Sequence, residues 1–512
     1  MTAVIRDVSA APPVRHPGAY RSLRAVPGAT WLGIAAAAVL FVAMATFTAA
    51  TLPWKGTADA FAHLDYIYQV HQGQLPEPYG YDYGHRANDT SRQWASAHPP
   101  LFYAIASVPM GPDLDAGLWE RAVARGRALN IFFGLCTVFA LAWAGWVLGG
   151  RTRAVLAIAL PAIGALLPPF VRFSGEIYND PLAILLSVLA VTLACTVVKR
   201  GVSTTRFAML AALCALGLAT RATFVFALII ALGALLLMPV AQGAYRDLRA
   251  WLKALAASAG LACLAVLPIG WFYARNHELS GSWFRSVAKH ALQSRTEQSL
   301  GDVLANDRFW LLVPEGMLGP KWRSIWPVND DVSLALFLAS AAVVAFLIVT
   351  RGHWRNAVKL DRGTLVWLLI AAHFFGLMAA QLQHAVGWGA LNFRYFLPAL
   401  LSIGALLAVA ATAWTRCSAF VVTGVSGMMA VSCVLGSMTY LDGRYAAIAK
   451  GRGSMERLWT VVERNGIPET LIWAALAAAA CALVVLAVAV DRAGRLPHPP
   501  IRNAWTDEHA AA

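Results

Sequence analysis

The strongest constraint on this chain is a recurrence. Apolar stretches of roughly 15–25 residues, about the length of a membrane-crossing helix, recur near 31–52, 128–148, 154–171, 181–198, 206–220 (a short one that ends at Arg221), 222–240, 254–274, 332–350, 364–382, 395–413, 418–440 and 470–490. In lipid each such segment has to satisfy its own backbone N–H and C=O groups, which a helix does. Ala, Leu, Val and Gly dominate the runs, as closely packed membrane helices require. Only 13% of the residues are charged and 59% are hydrophobic, against about 25% charged in a soluble domain. The expected fold class is therefore all-α: a polytopic transmembrane helical bundle of about twelve helices.

Loop charge orients the bundle. With the N-terminus inside, the inner loops hold Arg151/Arg153, Lys199/Arg200/Arg206, Arg246/Arg249/Lys253, Arg351/Arg355/Lys359/Arg362, Arg416 and Arg492/Arg495, the positive-inside pattern. Residues 1–30, with Arg6, Arg15, Arg21 and Arg24 among Pro and Ala, read as a flexible cytoplasmic segment, residues 31–490 as the membrane domain, and 491–512 as a cytoplasmic tail. The first run exceeds the h-region of about 7–15 residues in a signal peptide, so a retained anchor in the cell membrane is expected. Three long segments, about 53–127, 275–331 and 441–469, then face outward.

The seven cysteines fall in apolar runs, or for Cys417 at the edge of one, without a CxxC pair, and are read as buried thiols rather than disulfides or a metal cage. The net charge of +14 needs no nucleic-acid partner, because anionic lipid headgroups and phosphates explain it. Neither a GxxxxGK[ST] loop nor a 20–50-residue repeat is evident.

Four polar stretches interrupt this pattern, all on the outer side of the inferred topology. In the first, Gly56 to Tyr66, a helix would stack Asp59 and His63 at i and i+4; a carboxylate beside an imidazole suits a metal site or a base with an orienting partner, or else a cap and an interfacial His. In the second, His98-Pro99-Pro100-Leu101-Phe102-Tyr103, two prolines fix a loop-to-helix joint and leave His98 at the headgroup level. In the third, Arg172 to Leu182, Glu176 and Asp180 stand at the mouth of the fourth span; Asp180 reads as an N-cap before Pro181, yet charges at a membrane boundary are functional candidates. The fourth is a pair of arginines at helix ends, Arg221 and Arg394, the latter followed by Tyr395, each able to clamp a phosphate through two N–H groups or to snorkel.

Taken in order, the Asp-x-x-x-His stretch with Gly73-Gln74-Leu75-Pro76, then His98-Pro99-Pro100, Asn179-Asp180-Pro181 and Arg394-Tyr395-Phe396-Leu397-Pro398 resemble the GT-C superfamily of membrane glycosyltransferases, which includes protein O-mannosyltransferases and the aminoarabinose transferases of lipid A. The resemblance implies a GT-C-like bundle with outer-face juxtamembrane helices, moving a sugar from a polyprenyl-phosphate donor to a glycan, lipid or protein acceptor on the outer face, with inversion. It places the catalytic base on Asp59 and a second acid, arranging a metal or the acceptor, on Asp180. The substrate contacts fall on His63, His98, Glu176, Arg221, Arg394 and Tyr395, with Arg394 foremost for phosphate. Ala60 stands where many relatives carry a second acid, so the divalent-cation cofactor stays open; relatives often have Lys near the position of His98, and no soluble domain follows the membrane part. The competing class is a transporter or flippase of lipid-linked glycans, which predicts charges paired mid-span and an inverted repeat. A polymerase or ligase of surface polysaccharide would share the lipid-linked substrate.

Overall fold

The computed structural model describes residues 26–53, 60–76, 95–283, 298–318, 330–350, 360–388, 393–445 and 454–496; Asp59, most of the N-terminal segment and most of the tail lie outside these. Helices alone make up the regular structure of the described residues. They are α1 (Gly28–Thr51), α2 (Ala60–His71), α3 (Leu101–Asp115), α4 (Trp119–Leu148), α5 (Arg153–Gly164), α6 (Pro168–Ser174), α7 (Asp180–Arg200), α8 (Thr204–Leu218), α9 (Val225–Leu236), α10 (Met238–Ala241), α11 (Leu248–Ser280), α12 (Leu300–Ala305), α13 (Asp307–Leu318), α14 (Asp330–Thr350), α15 (Arg362–Trp388), α16 (Leu400–Ala411), α17 (Ser418–Tyr445), α18 (Ser454–Arg464) and α19 (Glu469–Gly494).

Among the described residues nine helices are long and apolar enough to cross a membrane, so the chain is a multi-pass membrane protein. The remaining three apolar runs differ from simple spans. The 154–171 run is two helices, α5 and α6, bent by 70°. Its cause is local: Leu167 precedes Pro168-Pro169, and the residue before a proline is driven out of the helical region, here to φ −54°, ψ 121°. The 206–240 stretch is likewise divided into α8 and α9, of 15 and 12 residues. Between them Arg221 adopts extended backbone, φ −159°, ψ 137°. The second break lies where polar residues gather, beside Asn179 and Asp180.

The long helices pack closely. α1 lies along α19, and α4 along α5 and α7. At the α4–α5 crossing Gly145 is indispensable, because a Cβ there would sit 2.3 Å from the Leu156 carbonyl oxygen and 2.8 Å from the Ala157 Cα. Small residues let membrane helices approach this far.

The end of α1 is fixed from two sides. A helix leaves its last carbonyls without partners; here buried Arg127 donates to Ala49 O at 2.7 Å and Leu52 O at 2.8 Å, and Asn465 donates to Ala50 O at 2.8 Å and Leu52 O at 3.0 Å. Asn465 follows α18, an amphipathic helix whose Leu458, Val461 and Val462 bury against Phe47, Ala50 and Leu52. Helices α2 and α3, each too short to be a span, are tied at their C-terminal ends: His71 Nε2 and Gln72 Nε2 both lie 2.8 Å from the Asp115 carboxylate. Asp113 in turn pairs with Arg121 and Arg125 of α4 at 3.3 and 3.1 Å.

A methyl group at position 145 meets backbone that cannot move aside. Gly145→Ala is expected to destabilise the protein by about 1–3 kcal/mol and to lower its thermal midpoint in detergent. Gly424→Ala, where nothing lies within 4 Å, should leave the midpoint unchanged or raise it.

Candidate active site

Helix ends from distant parts of the chain meet at one place. Asn130, fully buried in α4, donates to the carbonyls of Glu176 (2.7 Å) and Tyr178 (2.9 Å) and so shapes the turn that leads into α7. Helix α7 then begins at Asp180, with Asn179 at the N-cap and no capping side-chain bond. The expectation that Asp180 caps this helix is thus incorrect: its carboxylate is drawn away to the arginines. The Asn179 side chain is also used elsewhere, Nδ2 donating to Thr220 O at 3.1 Å while Oδ1 accepts from Arg221 Nη1 at 3.3 Å. The first amide of α3, Leu101 N, donates to Ala219 O at 3.1 Å, which pins the His98-Pro99-Pro100 turn to the same junction.

Asp180 is the centre of the cluster. One carboxylate oxygen accepts from Arg221 Nη1 and the other from Arg394 Nε at 2.9 Å. The three residues are 2%, 3% and 8% exposed, so the ion triad is largely withdrawn from water, where electrostatic attraction is strong and an unpaired charge costly. Aromatic faces cover the cations: the Arg394 Cζ lies 4.3 Å from the Tyr178 ring centroid and 5.4 Å from that of Phe173, and Arg221 lies 5.8 Å from that of Tyr395.

From Arg394 the network runs on to α2 and α3. Arg394 Nη2 donates to His63 Nε2 at 3.2 Å, and His63 Nδ1 lies 2.9 Å from Tyr103 Oη. The rings of His63 and His98 are parallel with centroids 5.9 Å apart. Tyr66 stacks on Tyr103 at 3.7 Å and donates its hydroxyl to His98 O at 3.0 Å. Burial, and after it the Arg394 guanidinium, holds His63 well below the ordinary imidazole range; burial and then Arg221 do the same to His98. Both imidazoles are neutral at pH 7. The cluster reaches the surface at Tyr395 and His98, which are partly exposed.

Of the residues singled out in the sequence, His63, His98, Asp180, Arg221, Arg394 and Tyr395 are thus brought together. Glu176 is not: its carboxylate accepts from Arg172 Nε at 2.9 Å instead. Asp59 lies outside the described residues, one position before α2 and four before His63. Among the described residues no group of three or more His, Cys, Asp or Glu is placed to hold a metal ion. Within it, Asp180 has both oxygens on guanidiniums and His63 has both nitrogens in hydrogen bonds, so neither fits the role of metal ligand as it stands. Tyr103, Tyr178 and Asn130 are members of the site that sequence reasoning passed over. Tyr103 and Tyr178 lie within quoted motifs and Asn130 within an apolar run, and none of the three was marked out by charge.

The chemistry on offer is recognition of an anion. Among the described residues, the hydrogen bonds of Arg221 both leave from Nη1, which leaves Nε and Nη2 for a ligand; a guanidinium suits phosphate oxygens. Asp180 holds the two guanidiniums side by side, with a carboxylate oxygen on each.

No family model matches the sequence, and no curated protein does. Solved structures similar to it include ArnT from Cupriavidus metallidurans bound to undecaprenyl phosphate, at 14% identity and a TM-score of 0.46, with 92% of this chain and 79% of that one covered. The archaeal oligosaccharyltransferase AglB from Archaeoglobus fulgidus, in complex with an inhibitory peptide and a dolichol-phosphate, is similar at 12% identity and a TM-score of 0.41, covering 92% of this chain. The Archaeoglobus fulgidus oligosaccharyltransferase in complex with Zn and sulfate is similar at 11% identity and a TM-score of 0.42, covering 82%. The chain spans 57% of the length of each oligosaccharyltransferase.

Asp180→Asn removes the anion and leaves two guanidiniums adjacent. The expected cost is about 3–5 kcal/mol, seen as a lowered unfolding midpoint in detergent, and the double variant Asp180→Asn/Arg221→Gln should recover part of the loss because it also removes one of the cations.

Proposed function

We propose that this chain is a membrane glycosyltransferase that moves a sugar from a polyprenyl-phosphate carrier to a cell-envelope glycan, lipid or protein on the outer face of the cell membrane, with inversion at the anomeric carbon. The observation that carries this reading is the buried Arg221–Asp180–Arg394 triad at the ends of the spans. A carrier whose tail stays among lipids presents its phosphate at that level. As the sugar leaves, negative charge grows on the phosphate, and arginines already fixed in a water-poor site stabilise it without reorganising.

The other half of the reaction is removal of the acceptor proton. A hydroxyl is a weak nucleophile, so a carboxylate within hydrogen-bond reach is needed as the new bond forms, and a single inverting displacement needs only one such base. Asp59 is assigned that role: in the sequence it stands four residues before His63, which contacts Arg394. Asp180 is assigned to positioning. The remaining substrate contacts are assigned to His63, His98 and Tyr395 and, more remotely, Glu176. A divalent cation has no step in this scheme.

The placement of charge favours this reading over a transporter. Asp180 is the first residue of α7, Arg221 separates α8 from α9, and Arg394 opens the span Arg394–Ala411; transporters place such groups near the middle of the bilayer. The resemblance of the motif order to GT-C enzymes points the same way.

Mass spectrometry of envelope glycans and polyprenyl-phosphate sugars tests the proposal. Cells lacking the chain should accumulate one lipid-phosphate sugar and lose that sugar from an envelope acceptor. Asp59→Asn should do the same, with purified turnover slowed about a hundredfold or more. Unchanged lipid sugars and glycans in the deletion would overturn the proposal, and wild-type turnover by Asp59→Asn would overturn the base.

A further inference from the structure

The hydrogen bonds that leave Arg394 have a direction, and chemistry fixes it. A guanidinium carries only donors. Because Arg394 Nη2 lies 3.2 Å from His63 Nε2, that nitrogen is the acceptor and bears no hydrogen. In a neutral imidazole the other nitrogen then carries it, so His63 Nδ1–H donates to Tyr103 Oη across 2.9 Å. Tyr103 is therefore an acceptor in this contact, and its own hydroxyl hydrogen has to go elsewhere.

Among the described residues nothing receives it. Tyr103 is fully buried, and its contact with His63 is its one hydrogen bond among the described residues. Its stacked neighbour Tyr66 shows the contrast, since that hydroxyl is spent on the His98 carbonyl at 3.0 Å. A buried donor without an acceptor is costly. Bonds in such a chain also polarise one another: the guanidinium draws density from the imidazole and the imidazole from the phenol, so the last O–H is a better donor than that of an isolated phenol and suits an anionic oxygen. Burial, with Tyr66 beside it, raises the Tyr103 phenol above its usual range, which keeps that hydrogen in place at neutral pH.

We infer that Tyr103 is a substrate-binding residue whose phenolic hydroxyl, the last donor of the chain Arg394→His63→Tyr103, gives its hydrogen bond to a phosphate oxygen of the lipid carrier. This rests on the glycosyltransferase reading and adds a residue to it. Arg221 and Arg394 supply charge to the phosphate, and Tyr103 supplies a neutral, directional contact one imidazole away.

The test is binding of polyprenyl phosphate, without sugar, to the purified full-length protein in detergent. Three forms are compared: wild type, Tyr103→Phe, and the protein with 3-fluorotyrosine at position 103, which keeps both hydrogen bonds and nearly the same size but has a more acidic hydroxyl. Loss of a hydrogen bond to an anion should weaken binding by Tyr103→Phe about ten- to a hundredfold, and the fluorinated form should bind more tightly than wild type. If Tyr103 only anchors His63, Tyr103→Phe weakens binding but fluorination does not strengthen it, and the inference is overturned. It is overturned equally if all three forms bind alike. A wild-type protein that does not bind polyprenyl phosphate would instead remove the glycosyltransferase reading, and this contact with it.

Discussion

Two guanidiniums can be buried side by side only with an anion between them, and the rest of this structure follows from Asp180 being that anion. The carboxylate is the first residue of α7. To reach it, Arg221 has to emerge between apolar segments and Arg394 at the start of another, and neither can do so from within an unbroken helix lying in lipid. The division of α8 from α9 and the 3-10 turn over Phe393–Ala399 are the backbone consequences. Backbone groups freed where a helix ends need partners, and here Asn179 and Leu101 take up the freed carbonyls of Thr220 and Ala219. The polar centre and the break between α8 and α9 are one feature.

The same arrangement divides the chemical labour. With both oxygens of Asp180 engaged, the carboxylate organises charge, and the proposed reaction takes its base from another group. Neutral His63 links the cations to α2 and, through Tyr103, to α3. The supports of this linkage lie far from the triad: Arg127 and Asn465 fix the point where the chain leaves α1, and Asp115 joins α3 to the end of α2.

Hydropathy made the spans legible, because the cost of exposing backbone in lipid leaves little freedom over twenty residues. It did not reveal the bend between α5 and α6. The apolar character continues through Leu167-Pro168-Pro169, and only the steric effect of the prolines breaks the helix. Asp180, Arg221 and Arg394 were legible because charge at the edge of an apolar run is expensive and needs a reason. Glu176 gave the same signal, yet it turns to Arg172; two acids four residues apart around a turn have no fixed relative direction until the turn is known. Tyr103 and Tyr178 gave none, since aromatic residues at a membrane interface are ordinary, and only the pairing of α2 with α3 and the turn before α7 bring them to His63 and Arg394.

The most direct test of this account is an experimental structure of the purified protein with polyprenyl phosphate bound. The account predicts the phosphate within hydrogen-bond distance of Arg221 and Arg394, with the Asp180 bonds to both arginines retained and the polyprenyl tail running outward among the spans. A phosphate bound elsewhere, with the triad closed and without contact to the carrier, would contradict it.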